Sequence, residues 1–228
     1  PWPMPLRPQA SAPTPTIQPH RPQPWSLSIG GAGSAFFPKN RPAQAGASVR
    51  VSLACRLYDR WSVQGGLGWR TLPAGAFAAD TGGYALRSSQ LRYAFGYERT
   101  STELSPTALH VLDLPLALRW HPLRQVWAEG GLSLSRLMGV RGQWTQHTST
   151  SLQPDGAHST RHVWVPERGY RKLWLSPSIG AGWQHGRWSA GLRALGVPAD
   201  LMPPLVPDAP PRKGWLLNWE IGLNWRIF

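Results

Sequence analysis

The sequence has one cysteine, few acidic residues and no long apolar run. Cys55 alone excludes an internal disulfide framework and a zinc site built from several thiolates. No apolar stretch approaches the roughly 20 residues that a membrane-spanning helix needs, so a helical membrane protein is excluded. The sequence also lacks G-x-S-x-G, P-loop and dinucleotide-binding fingerprints, and with them the usual sequence evidence for hydrolases and nucleotide-binding enzymes.

Glycine, proline, tryptophan and basic residues are abundant instead. The 228 residues include 24 Gly, 24 Pro and 14 Trp, and the formal net charge is +13. Glycine and proline at this frequency argue against an all-helical protein. The length allows one large domain or two small ones.

Residues 1–24 are dominated by nine prolines and have no hydrophobic period. Such a segment stays extended and builds no core, so it is predicted to be a Pro-rich linker, either a disordered tail or a semi-rigid periplasmic spacer. Because the sequence starts at Pro1 without an initiator Met or a signal peptide, we expect a processed protein or a fragment of a longer one. Residues 25–228 are predicted to form one domain.

Strict alternation of apolar and small or polar residues begins at Trp25 and returns seven more times. Period-2 alternation predicts β-strands. The eight predicted strands are 25–37, 49–57, 61–69, 112–120, 126–135, 173–183, 188–194 and 215–227. Long loops, including 73–107 and 145–171, are expected to alternate with short turns, and the alternation at 90–98 predicts either a hairpin projecting from a loop or a strand of the main sheet. This pattern predicts an all-β protein, an eight-stranded antiparallel up-and-down transmembrane β-barrel.

The two faces of these strands differ in side-chain size. One face carries Leu, Ile, Val and Trp, and the other carries Ser, Gly, Ala, Gln, Asn and charged residues. An eight-stranded barrel has little internal space, so the small and charged face is expected to line the lumen and the bulky face to contact lipid. We expect the lumen charges to pair as a structural plug, with a proton or solute path as the alternative. The predicted lumen charges are Arg50, Arg56, Arg70, Asp113, Arg119, Glu129, Arg193 and Glu220.

Six tryptophans of the bulky face lie at the strand ends next to the short turns. Interfacial aromatic girdles have this arrangement, because the indole ring is buried in the membrane interface while its N–H stays wet. Ordinary core tryptophans are the alternative. The predicted girdle consists of Trp25, Trp61, Trp120, Trp183, Trp188 and Trp225.

Three segments carry a resemblance to a known family: WSVQGGLGW at 61–69, VLDLPLALRW at 111–120 and IGLNWRIF at 221–228. In their order and spacing, over about residues 25–228, they resemble the PorT-like small outer-membrane β-barrels of Bacteroidetes type. That family resembles the C-terminal barrel domain of dual membrane-spanning anti-sigma factors, in which a long linker joins an inner-membrane part to the barrel. The resemblance implies that the barrel-assembly machinery reads the last strand. Phe228 departs from the family pattern, since the outward set ends on Ile227.

The sequence gives little evidence of catalysis. No histidine has metal-ligand spacing with a second ligand on the same strand face, and we expect no catalytic, cofactor or metal site and no enzymatic activity. A lipid-hydrolase site at Ser105, His110 and Asp113 is a remote alternative. The basic residues show no aromatic–basic stacking face, so no nucleic-acid partner is expected. Phosphates of outer-membrane lipid or lipopolysaccharide are the expected partners of the basic residues in or beside the long loops. These are Lys39, Arg41, Arg87, Arg161, Arg168, Arg171, Lys172, Arg212 and Lys213.

Taken together, these features predict an outer-membrane anchor or interaction domain without an open pore in a Gram-negative bacterium, with its N-terminus in the periplasm. It would form the outer-membrane end of an envelope-spanning signalling protein. One alternative is a stand-alone barrel whose long loops bind a surface partner, and another is a soluble lipocalin-like ligand carrier.

Overall fold

The computed structural model describes residues 25–37, 43–77, 84–93, 96–152, 156–166, 169–202 and 214–228, with the backbone alone at 84–93 and at 96. The predicted linker 1–24 lies outside the described residues. The elements are β1 (Trp25–Phe36), β2 (Gln44–Tyr58), β3 (Trp61–Pro73), a 3-10 turn (Ala74–Ala76), β4 (Tyr84–Tyr93), β5 (Gly96–Trp120), β6 (Val126–Thr150), β7 (Ala157–Val165), β8 (Leu173–His185), β9 (Trp188–Pro198) and β10 (Trp215–Arg226). Among the described residues, no helix is long and apolar enough to span a membrane.

Eight of the ten strands close into an antiparallel ring. The sheet order is β4-β5-β3-β2-β1-β10-β9-β8-β6-β7, and a further pairing of β5 with β6 completes the ring. β1 pairs with β10 from Ser28↔Arg226 to Phe36↔Asn218, so the first and last strands form the seam. The predicted eight-stranded barrel is therefore confirmed, and full closure leaves the ring without a free edge.

The predicted short turns are also present. β2 is joined to β3 by residues 59–60, β5 to β6 by 121–125, and β8 to β9 by 186–187. Gly186 adopts a positive φ of 56°, a conformation that glycine takes without steric cost. We refer to this end of the barrel as the short-turn end and to the opposite end as the long-loop end.

β5 and β6 are each 25 residues long, about twice the length of the other ring strands. The first part of β5 extends beyond the ring, where β4 pairs with its residues 96–104. The last part of β6 also extends beyond the ring, where β7 pairs with its residues 140–148. The prediction that 73–107 and 145–171 are loops was therefore wrong for most of their length. The alternation at 90–98 belongs to a β4–β5 hairpin that projects beyond the ring, the first of the two interpretations of that segment.

Two bulges change the inward phase where the long strands leave the ring. The β5–β6 register shifts between Pro106 and Ala108, and again between His110 and Val111, which face Gly139 and Leu137. A β-bulge adds one residue to a strand and reverses which side chains point inward beyond it. Leu137 and Val140 are consequently both buried, three positions apart.

A hydrophobic cluster fills the lumen at the long-loop end. We call it the apolar plug, and it comprises Phe36, Leu72, Ala74, Ala76, Phe77, Leu109, Val111, Leu137, Val140, Tyr170, Trp174, Val197 and Leu201. Phe36 and Phe77 meet edge to face with ring centroids 5.4 Å apart. The apolar core of this barrel is therefore confined to one end.

Candidate functional site: the lumen and the rims

The lumen next to the apolar plug contains a buried ionic cluster around Arg70. One guanidinium nitrogen of Arg70 donates to Asp113 Oδ1 at 2.8 Å, and Ser135 Oγ donates to the same oxygen at 2.5 Å. Glu220 lies 3.8 Å from the other terminal nitrogen of Arg70 and 3.4 Å from a nitrogen of Arg50. Arg70 is 1% exposed, so the two carboxylates replace the water that this charge has lost.

A second ionic cluster lies closer to the short-turn end, around Glu129. Arg119 donates to Glu129 Oε2 from Nε at 3.1 Å and from a terminal nitrogen at 2.8 Å. Arg193 donates to the other oxygen, Oε1, from Nε at 2.7 Å and also from a terminal nitrogen. Each oxygen of one carboxylate thus accepts from two nitrogens of one guanidinium, from β5 and from β9, and these charge-assisted bonds belong to the stronger class of hydrogen bond.

Trp127 supports this second cluster from within the lumen. The guanidinium carbon of Arg119 lies 4.1 Å from the centroid of the Trp127 ring, close enough for a cation–π contact. The ring fits because Gly182 and Gly191 are paired opposite it, and a Cβ on either would lie within 2.5 Å of the indole. These two glycines therefore make room for the Trp127 ring in the polar part of the lumen.

Little space remains between the two ionic clusters. The cavity lined by Arg50, Arg119, Arg193 and Glu220 measures about 40 Å³, room for a few water molecules. The apolar plug covers the lumen beyond Arg70. The described side chains thus leave no solute-sized passage through the barrel.

Arg56 does not join either ionic cluster, so its predicted place in the paired set was wrong. It lies near the end of β2, past the level of Glu129, and makes no ion pair with a described residue. Instead it lines a cavity of about 310 Å³ at the short-turn end together with Arg226, Arg119, Arg124 and His121. Across the sheet, Arg56 faces Ser62.

His121 follows β5 and lies among these positive charges, which affect its pKa. Burial and then the charges of Arg119, Arg56 and Arg226 lower the pKa of His121 below its usual value of 6.5. Its Nε2 lies 3.4 Å from Ser62 Oγ. At the short-turn end of the lumen, positive side chains among the described residues therefore outnumber carboxylates.

The outer face of the ring is apolar on every strand. Its exposed large side chains form a continuous belt, made up of Ile29, Val49, Val51, Leu53, Leu67, Leu114, Leu116, Leu118, Leu132, Leu134, Leu173, Leu175, Ile179, Leu192, Leu217, Ile221 and Leu223. An apolar belt of this extent is far beyond the few hundred Å² that soluble monomers normally expose.

The six predicted girdle tryptophans all lie on this outer face at the short-turn end, and each is 40–59% exposed. Trp61 and Trp120 are directly paired across β3 and β5, and Trp188 and Trp225 across β9 and β10. Trp183 donates from Nε1 to Gln125 Oε1 at 3.3 Å, so its N–H has a polar partner while its ring faces outward, an arrangement that suits a membrane interface.

A second group of exposed tryptophans, which was not predicted, lies toward the long-loop end: Trp69, Trp164, Trp215 and Trp219. Trp215 and Trp225 are ten residues apart on β10, which is about 33 Å along the strand at about 3.3 Å per residue. For strands tilted by about 40°, this becomes about 25 Å along the barrel axis, the height of the apolar band in outer-membrane barrels. The signal was present in the sequence, since Trp215 and Trp219 keep the outward phase of β10.

The remote hydrolase arrangement does not form. His110 lies on the outer face, with its ring 5.8 Å from that of Trp69 and 5.3 Å from that of Trp164, whereas Asp113 points into the lumen toward Arg70. Among the described residues, no three His, Cys, Asp or Glu side chains are grouped so that they could hold a metal ion.

Only some of the basic loop residues can be placed. Arg161 lies over the Trp144 ring at 4.2 Å, and Arg171 makes an exposed ion pair with Asp200 at 3.0 Å. Lys172 is also described, as part of the chain leading into β8. The predicted lipid contacts of Lys39, Arg41, Arg168, Arg212 and Lys213 lie outside the described residues, and the side chain of Arg87 is likewise not described.

Comparison with known proteins gives only distant likenesses. No family model matches the chain, and no curated protein matches it. Among solved structures, it is similar to Ail, the attachment invasion locus protein of Yersinia pestis, with 11% identity, a TM-score of 0.41, and 89% of this chain and 97% of that chain covered. Neisserial surface protein A (NspA) gives 11% identity, a TM-score of 0.39, and coverage of 89% and 95%. Likenesses at this level carry no inference about what this chain binds.

Proposed function

We propose that this protein is an outer-membrane β-barrel that acts as a membrane anchor or interaction domain and forms no open pore. The observation that carries the proposal is the inversion of the barrel's faces. Leu, Ile and Val cover the outside of all eight ring strands, whereas the middle of the lumen is built from Ser, Gly and ion pairs. A barrel built in this way is suited to a lipid surround.

The filling of the lumen supports the absence of a pore. Two ionic clusters and the apolar plug occupy successive levels of the barrel, and the cavity between the clusters measures only about 40 Å³. An eight-stranded barrel has an interior just wide enough for side chains, so this filling follows from the strand number. The same filling argues against a lipocalin-like carrier, which needs an apolar ligand cavity at mid-barrel.

Orientation and the identity of the wider protein belong to the same proposal. In outer-membrane barrels the short turns face the periplasm, and in this proposal the short-turn end and the N-terminal linker of this chain would face it too. The Pro-rich segment 1–24 would then be a periplasmic spacer, as in the dual membrane-spanning anti-sigma factors that the PorT-like pattern resembles. In this proposal the barrel-assembly machinery inserts the protein into the membrane. The role of the inserted protein is structural rather than enzymatic.

Membrane fractionation combined with heat-modifiability tests the proposal. We expect the protein in the outer-membrane fraction and a shift in gel migration between unheated and boiled samples, because folded barrels resist SDS until they are heated. A freely soluble protein without a shift would contradict the membrane assignment. In planar lipid bilayers, the purified barrel is expected to give no steady ion conductance, and stable open channels would disprove a closed lumen.

The gene that encodes the chain tests the anti-sigma assignment. A cytoplasmic helical domain and one membrane helix encoded upstream of Pro1 would support it. A signal peptide directly before Pro1 would contradict it and would leave a stand-alone barrel.

The projecting sheet favours a second candidate function, the binding of a surface partner. β4, β7 and the extended parts of β5 and β6 form four strands beyond the ring, and the outer strand β7 exposes most of its side chains. We therefore expect that replacing 78–105 and 143–163 by short Gly–Ser turns leaves the heat shift intact and abolishes co-purification of surface proteins. Unchanged co-purification would exclude this candidate.

A further inference from the structure

The short-turn end of the lumen differs from the rest of the barrel in its charge balance. The two ionic clusters contain four arginines and three carboxylates. Past the Glu129 cluster, Arg56, Arg124 and Arg226 have no ion-pair partner among the described residues. They surround the 310 Å³ cavity together with Arg119 and His121.

A neighbouring cavity of about 750 Å³ extends this region outward and shares Arg56, His121 and Arg124 with it. Asp59 is the only acidic side chain among the described residues that line either cavity. The linker 1–24 cannot supply the missing charge, since it contains no Asp or Glu. At least three guanidinium groups without an ion pair therefore line these cavities against a single acidic side chain, and two of them, Arg56 and Arg124, are exposed to solvent while Arg226 is half-buried.

From this arrangement we propose that the short-turn end of the barrel is a binding site for a small soluble anion of the phosphate class, such as a phosphate monoester or a pyrophosphate. The cationic side chains come from β2, β5, β10 and the turn after β5, so they approach the cavity from several directions. A tetrahedral phosphate presents oxygens in several directions, whereas one carboxylate presents only two. Guanidinium forks match phosphate oxygens in geometry as well as in charge.

The size of the cavity and its access route limit the choice of ligand. A volume of about 310 Å³ is at the lower limit of ligand pockets, which span about 300–1,000 Å³. The cationic residues on β2, β5 and β10 have the inward phase of their strands, on the opposite face from the apolar belt. A phospholipid headgroup held by its acyl chains would have to cross the rim to reach them, so a soluble anion is the better fit.

The environment of His121 is consistent with an anion site. Burial and the nearby charges of Arg119, Arg56 and Arg226 lower the pKa of His121. A bound anion would relieve that repulsion. The ring nitrogen of a neutral histidine can then donate to an anion oxygen or take up a proton from solvent.

Isothermal titration calorimetry of the full chain, folded in a nonionic detergent, tests the proposal with pyrophosphate as the probe and ionic strength held constant. We expect saturable binding with one site per barrel. The double variant Arg56→Gln/Arg226→Gln is expected to weaken binding at least about tenfold, because two charge-assisted hydrogen bonds are removed. The matched control Arg141→Gln/Arg187→Gln removes the same charge from residues that line neither cavity, and it should bind as the unmodified chain does. The heat shift of each variant checks that it has folded.

Several outcomes would overturn the site. Equal weakening in both double variants would show nonspecific attraction to a basic protein, and a lack of saturable binding by the unmodified chain would exclude the site. Citrate binding as tightly as pyrophosphate, with the same dependence on Arg56 and Arg226, would disprove the phosphate class. Mixed micelles with phosphatidylglycerol distinguish the sources: competition with pyrophosphate at the lipid levels of a membrane would identify a headgroup as the occupant and contradict a soluble ligand.

Discussion

The two ends of the lumen solve the problem of filling a narrow barrel in opposite ways. At the long-loop end, thirteen apolar side chains pack into the plug, with Leu72, Leu109 and Val111 fully buried. At the short-turn end, arginines surround water-accessible cavities of about 310 and 750 Å³. Between them lie the Arg70 cluster, with two arginines and two carboxylates, and the Glu129 cluster, with two arginines and one carboxylate. Along the strands, the inward residues change from apolar side chains to ion-paired side chains and then to unpaired arginines. One period-2 pattern can therefore specify a barrel that is closed at one end and open at the other.

Removing the shared carboxylate should have the largest effect. Glu129→Gln leaves the guanidinium groups of Arg119 and Arg193 unpaired in the lumen, and an uncompensated buried charge costs about 3–5 kcal/mol. We expect the free energy of unfolding to fall by this amount in urea titrations of the barrel in lipid. Asp200→Asn, which breaks the exposed pair with Arg171, is the control and should cost less than about 1 kcal/mol. Similar losses in the two variants would contradict a buried ionic cluster.

Truncating the plug is expected to have the next largest effect. Leu109 is fully buried, and Leu109→Ala should destabilise the barrel by about 2–5 kcal/mol through lost burial and the cavity left behind. Leu116→Ala removes the same atoms from the outer face, where lipid fills the space and no cavity remains. Urea titration of both variants in the same lipid measures the difference. An equal loss in the two would mean that the plug is not packed.

The smallest effect concerns the pH dependence of the cationic end. Because the pKa of His121 is lowered by folding, the folded state binds fewer protons at this site than the unfolded state. The contribution of His121 to the free energy of unfolding is fully present above pH 6.5, near its pKa in the unfolded chain. It is lost as the pH falls through the lower pKa of the folded chain. Arg56→Gln removes one source of repulsion and should raise the pKa of His121, which NMR titration of the ring would show. A pKa of His121 above 6.5 in the unmodified chain would contradict this account of the region.

The alternation of the sequence was sufficient to predict the ring and its lumen face. β10 illustrates why: from Trp215 to Arg226 every second residue is large and apolar, so one residue of register error would turn the whole strand inside out. An ionic network in the lumen could be anticipated because Asp113, Arg119 and Glu129 keep the inward phase of neighbouring strands, although the individual pairs could not. Arg56 could not be placed, since the phase alone does not tell how far along the axis a carboxylate lies.

The extended parts of β5 and β6 beyond the ring escaped prediction because they are polar on both faces. Segments 98–107 and 141–150 are rich in Ser and Thr, and neither has the one-sided apolar pattern that marks a half-buried strand. The bulge at His110–Val111 hid the plug as well, since Leu137 and Val140 do not share a single alternation. The centres of the ring strands could therefore be predicted from the sequence, whereas the strand ends at the long-loop end could not.

The β1–β10 seam has a consequence for how the barrel is assembled. Every other pairing in the ring joins strands that are close in sequence, so a sheet running from β1 through β10 can form piece by piece as the chain is delivered. The pairing from Ser28↔Arg226 to Phe36↔Asn218 joins residues about two hundred positions apart, and the entropy of closing so large a loop makes such contacts late. The shared Glu129 already has Arg119 on the strand paired with β6 and Arg193 on β9, but Glu220 gains Arg70 and Arg50 across the lumen only when the sheet rolls up. The Glu220 contacts thus stabilise the closed cylinder over the open sheet, and they favour the one register in which the last strand meets the first.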